Sequence, residues 1–386
     1  MHLERDLVIA LCRTGLPDSA HVRVRNLAAR IGDWDPFFDL AIRWEMEPVV
    51  MANLIAICGD MLPAHVLSNA GQRGRDARAI ALARTLLVVQ TVKRLSAAGV
   101  EAIVLKGPAV GVAGYDDPSM RSFADIDLLI RKKNLMNARD TLIADGFSPD
   151  YEAAAEQTLI DDQHALELSS QNIKVELHWA LLSRHLRFDI DVDDLWARAE
   201  KVECAGHTIN VLAQHHLFLF LCAHGAKHEW ERPRWICDIA QLADRLSEKE
   251  VERTVDLARR VGAKRLLALG VRVVRMFFGS HLSVFPPALL ERERDTSPIL
   301  LHVQRRLGFA KANVVGMKED RLSSLDPRLR VLLFWARCRE RLIDRVMCVA
   351  QVIFVPTMTD GGIGVARWVG RPVRLAARAV RRLALR

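Results

Sequence analysis

Over residues 3–95 apolar positions recur at intervals of three and four with few alternating stretches, which predicts a helical N-terminal region. Within it, 77–98 reads as a helix ended by Gly99. The pattern then changes period. Residues 100–105 form a short apolar run that predicts a strand, 108–115 a short helix, and 124–130 a second strand. Leu135, Ala138 and Leu142 share one face of a helix over 132–145 that Gly146 ends. Two alternating runs, 164–169 and 173–178, flank Ser170, Gln171 and Asn172 and predict a hairpin. From 213 to about 355 the period is helical again, and no internal repeat or low-complexity block interrupts it. The expected divisions are a helical region over 1–98, a mixed core over 99–212, a helical domain over 213–355 and a tail over 356–386.

The mixed core holds the chemistry. Successive side chains of a strand point to opposite faces, so Asp125 and Asp127 share one face while Ile126 and Leu128 take the other. The same alternation sets Lys174, Glu176 and His178 together on a face of the later strand. If the two strands are neighbours, Asp125, Asp127 and Glu176 converge. Like charges held together oppose ionisation, and a bound cation removes that conflict. Oxygen ligation completed by substrate phosphates suits Mg2+ or Mn2+. Two such ions can activate an attacking hydroxyl and stabilise leaving pyrophosphate. Taken alone, each residue has a plainer reading: a solvated strand end for the Asp pair, a surface charge for Lys106, and a turn for Gly107.

The order of several motifs resembles the polymerase-beta-like nucleotidyltransferases, in particular a bacterial branch of uncharacterised nucleotidyltransferase family proteins. The resemblance lies in Val104-Leu105-Lys106-Gly107-Pro108-Ala109, in Tyr115-Asp116-Asp117-Pro118-Ser119-Met120-Arg121, and in Asp125-Ile126-Asp127-Leu128-Leu129-Ile130. Val175-Glu176-Leu177-His178-Trp179, His224-Gly225-Ala226-Lys227-His228, Trp235 and Asp238 extend it, so that it covers roughly 35–245. It implies an α+β fold: a small mixed nucleotidyltransferase sheet flanked by N-terminal and C-terminal helical domains. It also implies Asp125 and Asp127 as metal ligands, Glu176 as the third acid, and the Gly107 turn as the place of the phosphates. The superfamily usually has Gly-Ser at that turn, whereas Pro108 follows Gly107 here. Proline suits the first helical position but brings neither a hydroxyl nor a backbone N–H. Lys106 can compensate as a point charge and Arg121 as a bidentate grip. Arg121 and Tyr115 can equally serve to order the connecting loop.

A second signal comes from histidine. Leu217, Phe220, Leu221, His224 and His228 fall at helical spacing, which places both histidines on an inward face. Histidines four apart can bind zinc, and Asp238 on the next helix can complete such a site. Alternatively, a histidine hydrogen-bonded to that acid ties two helices together. The resemblance adds a third option, in which Lys227 and His228 face the nucleotide.

Composition narrows the setting. A chain of 386 residues with 50% hydrophobic content can bury a large core. Seven cysteines without C-x-x-C spacing indicate neither a disulfide framework nor a zinc ribbon, and a charged N-terminus with only a short apolar run behind it does not read as a signal peptide; the cytoplasm is the expected compartment. The net charge of +8 is concentrated: 361–386 carry seven arginines and no Asp, Glu or Lys, which leaves about +1 for the rest. Arginines and apolar residues alternate there as in an amphipathic basic helix, so 364–386 suit either the inner membrane surface or packing on a neighbouring domain. The run 346–355 is too short to span a bilayer. Aromatics at 6%, not interleaved with basic runs, argue against nucleic acid as partner.

The sequence therefore predicts a metal-dependent transferase that moves a nucleoside monophosphate from a triphosphate, ATP by expectation, to a hydroxyl or phosphate of a small molecule, peptide or glycan. Asp125, Asp127 and Glu176 would carry the metal chemistry, with Glu176 as either ligand or base. Lys106, Gly107, Arg121, Lys227 and His228 would hold the nucleotide. Two alternatives stand beside this reading: a nucleotide-binding or regulatory protein on the same fold, and a metal phosphohydrolase centred on His224, His228 and Asp238.

Overall fold

The strand bearing the paired acids lies at the centre of a seven-stranded mixed sheet. The computed structural model describes residues 2–115, 117–170, 173–279, 284–286, 297–308 and 327–354, so the tail expected over 356–386 lies outside the described residues. The strands are β1 (Ala102–Val104), β2 (Asp125–Ile130), β3 (Ser148–Pro149), β4 (Ala165–Ser169), β5 (Lys174–His178), β6 (Glu200–Cys204) and β7 (His207–Val211), in the spatial order β3-β4-β5-β2-β1-β7-β6. β2 pairs antiparallel with β1 and parallel with β5, and the β4–β5 hairpin forms as expected.

Helices surround this sheet, and the fold is α+β. Before it come α1 (His2–Leu11), α2 (Asp18–Ala28), α3 (Asp35–Arg43), α4 (Glu47–Cys58) and α5 (Ala64–Ala97). Between the strands lie α6 (Pro108–Tyr115), α7 (Leu135–Ala144), α8 (Glu156–Asp162) and α9 (Val192–Ala197). After it come α10 (Gln214–Lys227), α11 (Pro233–Ala243), α12 (Glu248–Arg260) and α13 (Lys264–Phe278), then helices Ser297–Arg306, Pro327–Cys338 and Leu342–Phe354.

The strand period sorts the core into two. Val104, Ile126, Leu128, Val175 and Leu177 pack with Val88, Val89 and Leu95 of α5 and with Leu135, Ala138 and Leu142 of α7. Ile103, Leu105 and Leu129 point the other way and join a core shared by α1–α4 and α10–α13. The acids of β2 lie on this second face, opposite α5 and α7. Helical residues from both ends of the chain thus close over one side of the sheet, as the 3.3 Å approach of the Cys12 and Cys237 sulfurs illustrates.

Two local features depart from the sequence expectations. The helix expected over 77–98 begins at Ala64, and within the added turns Gly74 sits against Met51 of α4, where an added Cβ would come within 3.0 Å of the Met51 side chain. Its C-terminal end is as expected: Gly99 is left-handed, and Val100 donates to the Leu95 carbonyl. The β6–β7 hairpin was not anticipated, since its turn is Ala205-Gly206 with both residues at positive φ. That geometry usually announces itself by Asn-Gly or Asp-Gly.

His216 at the start of α10 is buried and donates from Nε2 to the Asp194 carboxylate of α9, 3.1 Å away. Burial, aided by the neighbouring His215, pushes its pKa down to about 4. The folded state therefore resists a proton that the unfolded chain takes up near pH 6.5. Stability from this group is complete above pH 6.5 and is lost as pH falls toward 4. Between pH 6.5 and 5 the loss is roughly 2 kcal/mol at 1.36 kcal/mol per pH unit. Urea denaturation at pH 7 and pH 5 should show His216→Asn losing about that much less than the unaltered chain; equal losses would defeat the assignment.

Candidate metal and nucleotide site

Register brings the acids together. Asp127 stands opposite Glu176 across the parallel β2–β5 pair, and Asp125 opposite Lys174. Side chains two apart on β5 share a face, so His178 joins Glu176. Its Nε2 lies 3.2 Å from Asp127 Oδ1 and 3.2 Å from Glu176 Oε2. Ligand atoms of Asp127, Glu176 and His178 all fall within 4.8 Å of one another, the group of this kind found among the described residues. Asp125 lines the same cleft but is not part of that group. The sequence expectation set Asp125, not His178, beside Asp127 and Glu176.

Charge organises this point. Asp127 is buried, and Lys106 Nζ sits 2.8 Å from its Oδ1. Burial alone would raise the Asp127 pKa, but Lys106 and His178 outweigh it and hold the carboxyl well below its ordinary range. Burial opposes charge on His178 as well, and hydrogen bonds to Asp127 and Glu176 override it, so its pKa is raised. Glu176 is lowered because His178 outweighs its own burial. Asp125 is raised, first by burial and then by Asp127. Asp127 Oδ2 is buried without a hydrogen-bond partner, which is costly for an ionised oxygen. Two carboxylates, one of them carrying that orphaned oxygen, and an imidazole fit a divalent cation, oxygen-rich enough for Mg2+ or Mn2+.

Around the acids opens a cleft of 1070 Å³ between the sheet and the α10–α11 corner. Gly107 lies at its edge in the left-handed region, with φ +58°, and a Cβ there would press on the Phe123 ring at 3.2 Å. Lys227 and His228 line the facing wall. Lys227 has no hydrogen-bond or ion-pair partner among the described residues. Burial, then repulsion from Lys106, lowers its pKa. Burial and Lys227 push the His228 pKa down to about 3, so its ring is neutral. The sequence reading missed Arg234, which is buried at the cleft wall and pairs with Glu45 at 2.9 Å. It also missed α8 and Tyr151 on the opposite wall. A signal for His178 was present in the strand alternation; none was available for Arg234, whose partner Glu45 lies far away in the chain.

Two expectations are corrected. Arg121 does not present a free fork to phosphates: its Nε and Nη2 bind the two oxygens of Asp238 at 2.9 and 2.7 Å, leaving Nη1 at 3.5 Å from the Gly107 carbonyl. Tyr115 donates to the same carboxylate at 3.0 Å. With both Asp238 oxygens taken, the zinc or phosphohydrolase centre weighed as an alternative for His224, His228 and Asp238 does not assemble among the described residues. Instead His224 and His228 pack on each other and on Trp235, with ring centroids 4.8 to 5.1 Å apart.

Residues 32–279 match a family described as uncharacterised nucleotidyltransferase, and that segment is more than half of the 386 residues. The chain belongs to this nucleotidyltransferase family. The matched span runs from the end of α2 to the end of α13 and so contains the whole sheet, the acids of β2 and β5, and the α10–α11 corner. No curated protein matches the chain. In this nucleotidyltransferase-family protein, no helix of the described residues is long and apolar enough to cross a membrane.

Proposed function

We propose that this protein transfers a nucleoside monophosphate from a triphosphate, by expectation ATP, to a hydroxyl or phosphate acceptor in a divalent-metal-dependent reaction. The observation that carries this reading is the meeting of Asp127, Glu176 and His178 within 4.8 Å, with Glu176 and His178 lining a cleft that the unpartnered Lys227 also lines. Asp127, Glu176 and His178 would hold Mg2+ or Mn2+, with Asp125 one strand position pair away as a further ligand for a second ion. Such ions polarise the triphosphate and favour departure of pyrophosphate.

The remaining work falls to the chain. Lys106 and Lys227 both line the cleft and repel each other, an arrangement that a polyanion relieves. The Gly107 turn lets backbone approach the phosphates without a side chain between, and His228, neutral, offers a hydrogen bond without adding charge. Glu176, held ionised, would either ligate the metal or accept the acceptor's proton. Arg121 acts through the turn, which it braces from Asp238, rather than by gripping phosphate. The volume of the cleft leaves room for an acceptor beside the nucleotide, on the side of α8; a small molecule, peptide or glycan fits this reading better than nucleic acid.

Thermal unfolding with ATP and Mn2+, singly and together, tests the binding half of the proposal: metal-dependent stabilisation is expected, and identical curves in all conditions would sink it. Screening labelled triphosphates against acceptors in cell extract, with pyrophosphate as readout, tests turnover. Pro108 supports one other outcome, in which nucleotide binds without being consumed, because the usual hydroxyl of the turn is missing. Lys227→Met should raise the KM or Kd for the triphosphate about tenfold, the loss of one charge-assisted contact, while kcat changes little. An unchanged affinity would remove Lys227 from the site.

A further inference from the structure

The wall that presents Lys227 and His228 is held by residues outside the family segment. After α10 the chain turns through Glu229 and Trp230, both left-handed at φ +55° and +48°. Two consecutive non-glycine residues in that region are costly, on the order of 1 kcal/mol or more each, and persist only where surroundings enforce them. The enforcement is visible. Glu229 is buried, and its carboxylate meets His302 at 2.9 Å, Arg306 at 3.1 Å and Arg330 at 3.2 Å. All three partners come from helices Ser297–Arg306 and Pro327–Cys338, beyond residue 279. Arg306 also reaches Glu231 at 2.7 Å.

Packing fixes the same corner from beneath. Trp230 is fully buried, with its ring 6.4 Å from that of Phe334 on the second of those helices. Its indole lies so close over α10 that a Cβ on Gly225 would come within 2.3 Å of Nε1. The Trp230 N–H donates to the Gly225 carbonyl at 2.8 Å. A left-handed corner, seated on a glycine and clamped by three cationic or polar side chains, immediately follows the two residues that face the cleft.

We propose that Glu229 is a positioning residue, and that the C-terminal helices, through His302, Arg306 and Arg330, set the α10–α11 corner so that Lys227 grips the triphosphate. This rests on the reading of Lys227 given above. Breaking the clamp releases the corner from its left-handed turn and lets Lys227 leave the cleft. The metal group, held by β2 and β5, does not depend on it. The C-terminal region thereby controls nucleotide affinity without touching nucleotide.

The test uses the full chain, with Arg306→Met/Arg330→Met alongside Glu229→Gln, because the arginines are partly exposed and their loss is the milder change. Three quantities are read: amide hydrogen exchange over 226–232, affinity for inorganic tripolyphosphate by calorimetry, and affinity for Mn2+ by electron paramagnetic resonance. The expected result is faster exchange at the corner, tripolyphosphate binding weakened about tenfold, and Mn2+ binding within twofold of the unaltered chain. Lys227→Met should weaken tripolyphosphate equally without changing exchange, and adding it to the arginine pair should weaken binding no further. Faster exchange with unchanged tripolyphosphate affinity overturns the proposal, as does parallel loss of Mn2+ binding in both clamp variants. If Lys227→Met itself leaves tripolyphosphate binding intact, the reading of Lys227 fails and the positioning role falls with it, while the clamp is shown to be purely structural.

Discussion

Asp127→Asn should reduce nucleotidyl transfer by on the order of 10³-fold and abolish Mn2+ binding, the largest functional effect of any single substitution in this protein. The side chain keeps its size and can still occupy the strand, so the effect isolates charge. Asp127 is the group on which Lys106 and His178 both converge, and its second oxygen has no partner. Removing its charge also leaves Lys106 almost buried without its closest counter-ion, which costs stability. That cost separates structure from chemistry. Lys106→Met/Asp127→Asn should recover most of the lost thermal stability and none of the activity. Pyrophosphate release from labelled ATP and the midpoint of thermal unfolding, measured on the unaltered chain and both variants, give the answer. Residual transfer within tenfold of the unaltered chain in Asp127→Asn would place the reaction elsewhere.

The largest structural effect is expected at Asp238. Both of its oxygens are bound, to Arg121 and Tyr115, and the Arg121–Asp238 pair is buried on both sides. Asp238→Ala strands a buried guanidinium and should destabilise the fold by about 3 to 5 kcal/mol, the range for breaking one side of a buried ion pair. Arg121→Leu/Asp238→Leu removes both charges and should restore much of that loss, since buried pairs are often replaceable by apolar residues. Denaturant titration of the single and double variants reads the difference directly. Equal stability of Asp238→Ala and the unaltered chain would show that the pair contributes nothing. The same variants discriminate the histidine-centred alternative: a zinc site would make stability depend on chelators, whereas the ion pair makes it indifferent to them.

These two sites differ in how far the sequence could reach them. Strand alternation alone put Asp125 and Asp127 on one face and Glu176 with His178 on another, because the two-residue period is a property of the backbone. The helix ending at Gly99, the short helix 108–115 and the 164–178 hairpin followed from equally local rules. The β6–β7 hairpin escaped because an Ala-Gly turn carries little local signal, and α8 because its seven residues are too few to show a period. The motif order carried the family, which the match over 32–279 then established.

Pairing across the sheet was a different matter. Periodicity says which side chains share a face of a strand, but register between strands fifty residues apart depends on packing of the whole sheet. Only the fold placed Glu176 opposite Asp127, drew His178 rather than Asp125 into the tight group, and spent Arg121 on a carboxylate 117 residues away. The sequence by itself determined the acid-bearing strands, the helices with a clear period, the candidate acids and the motif order that points to the family. The tertiary structure decided which charges meet, because in a buried cleft a charge is defined by its nearest opposite, and nearness across the chain is settled by packing rather than by spacing.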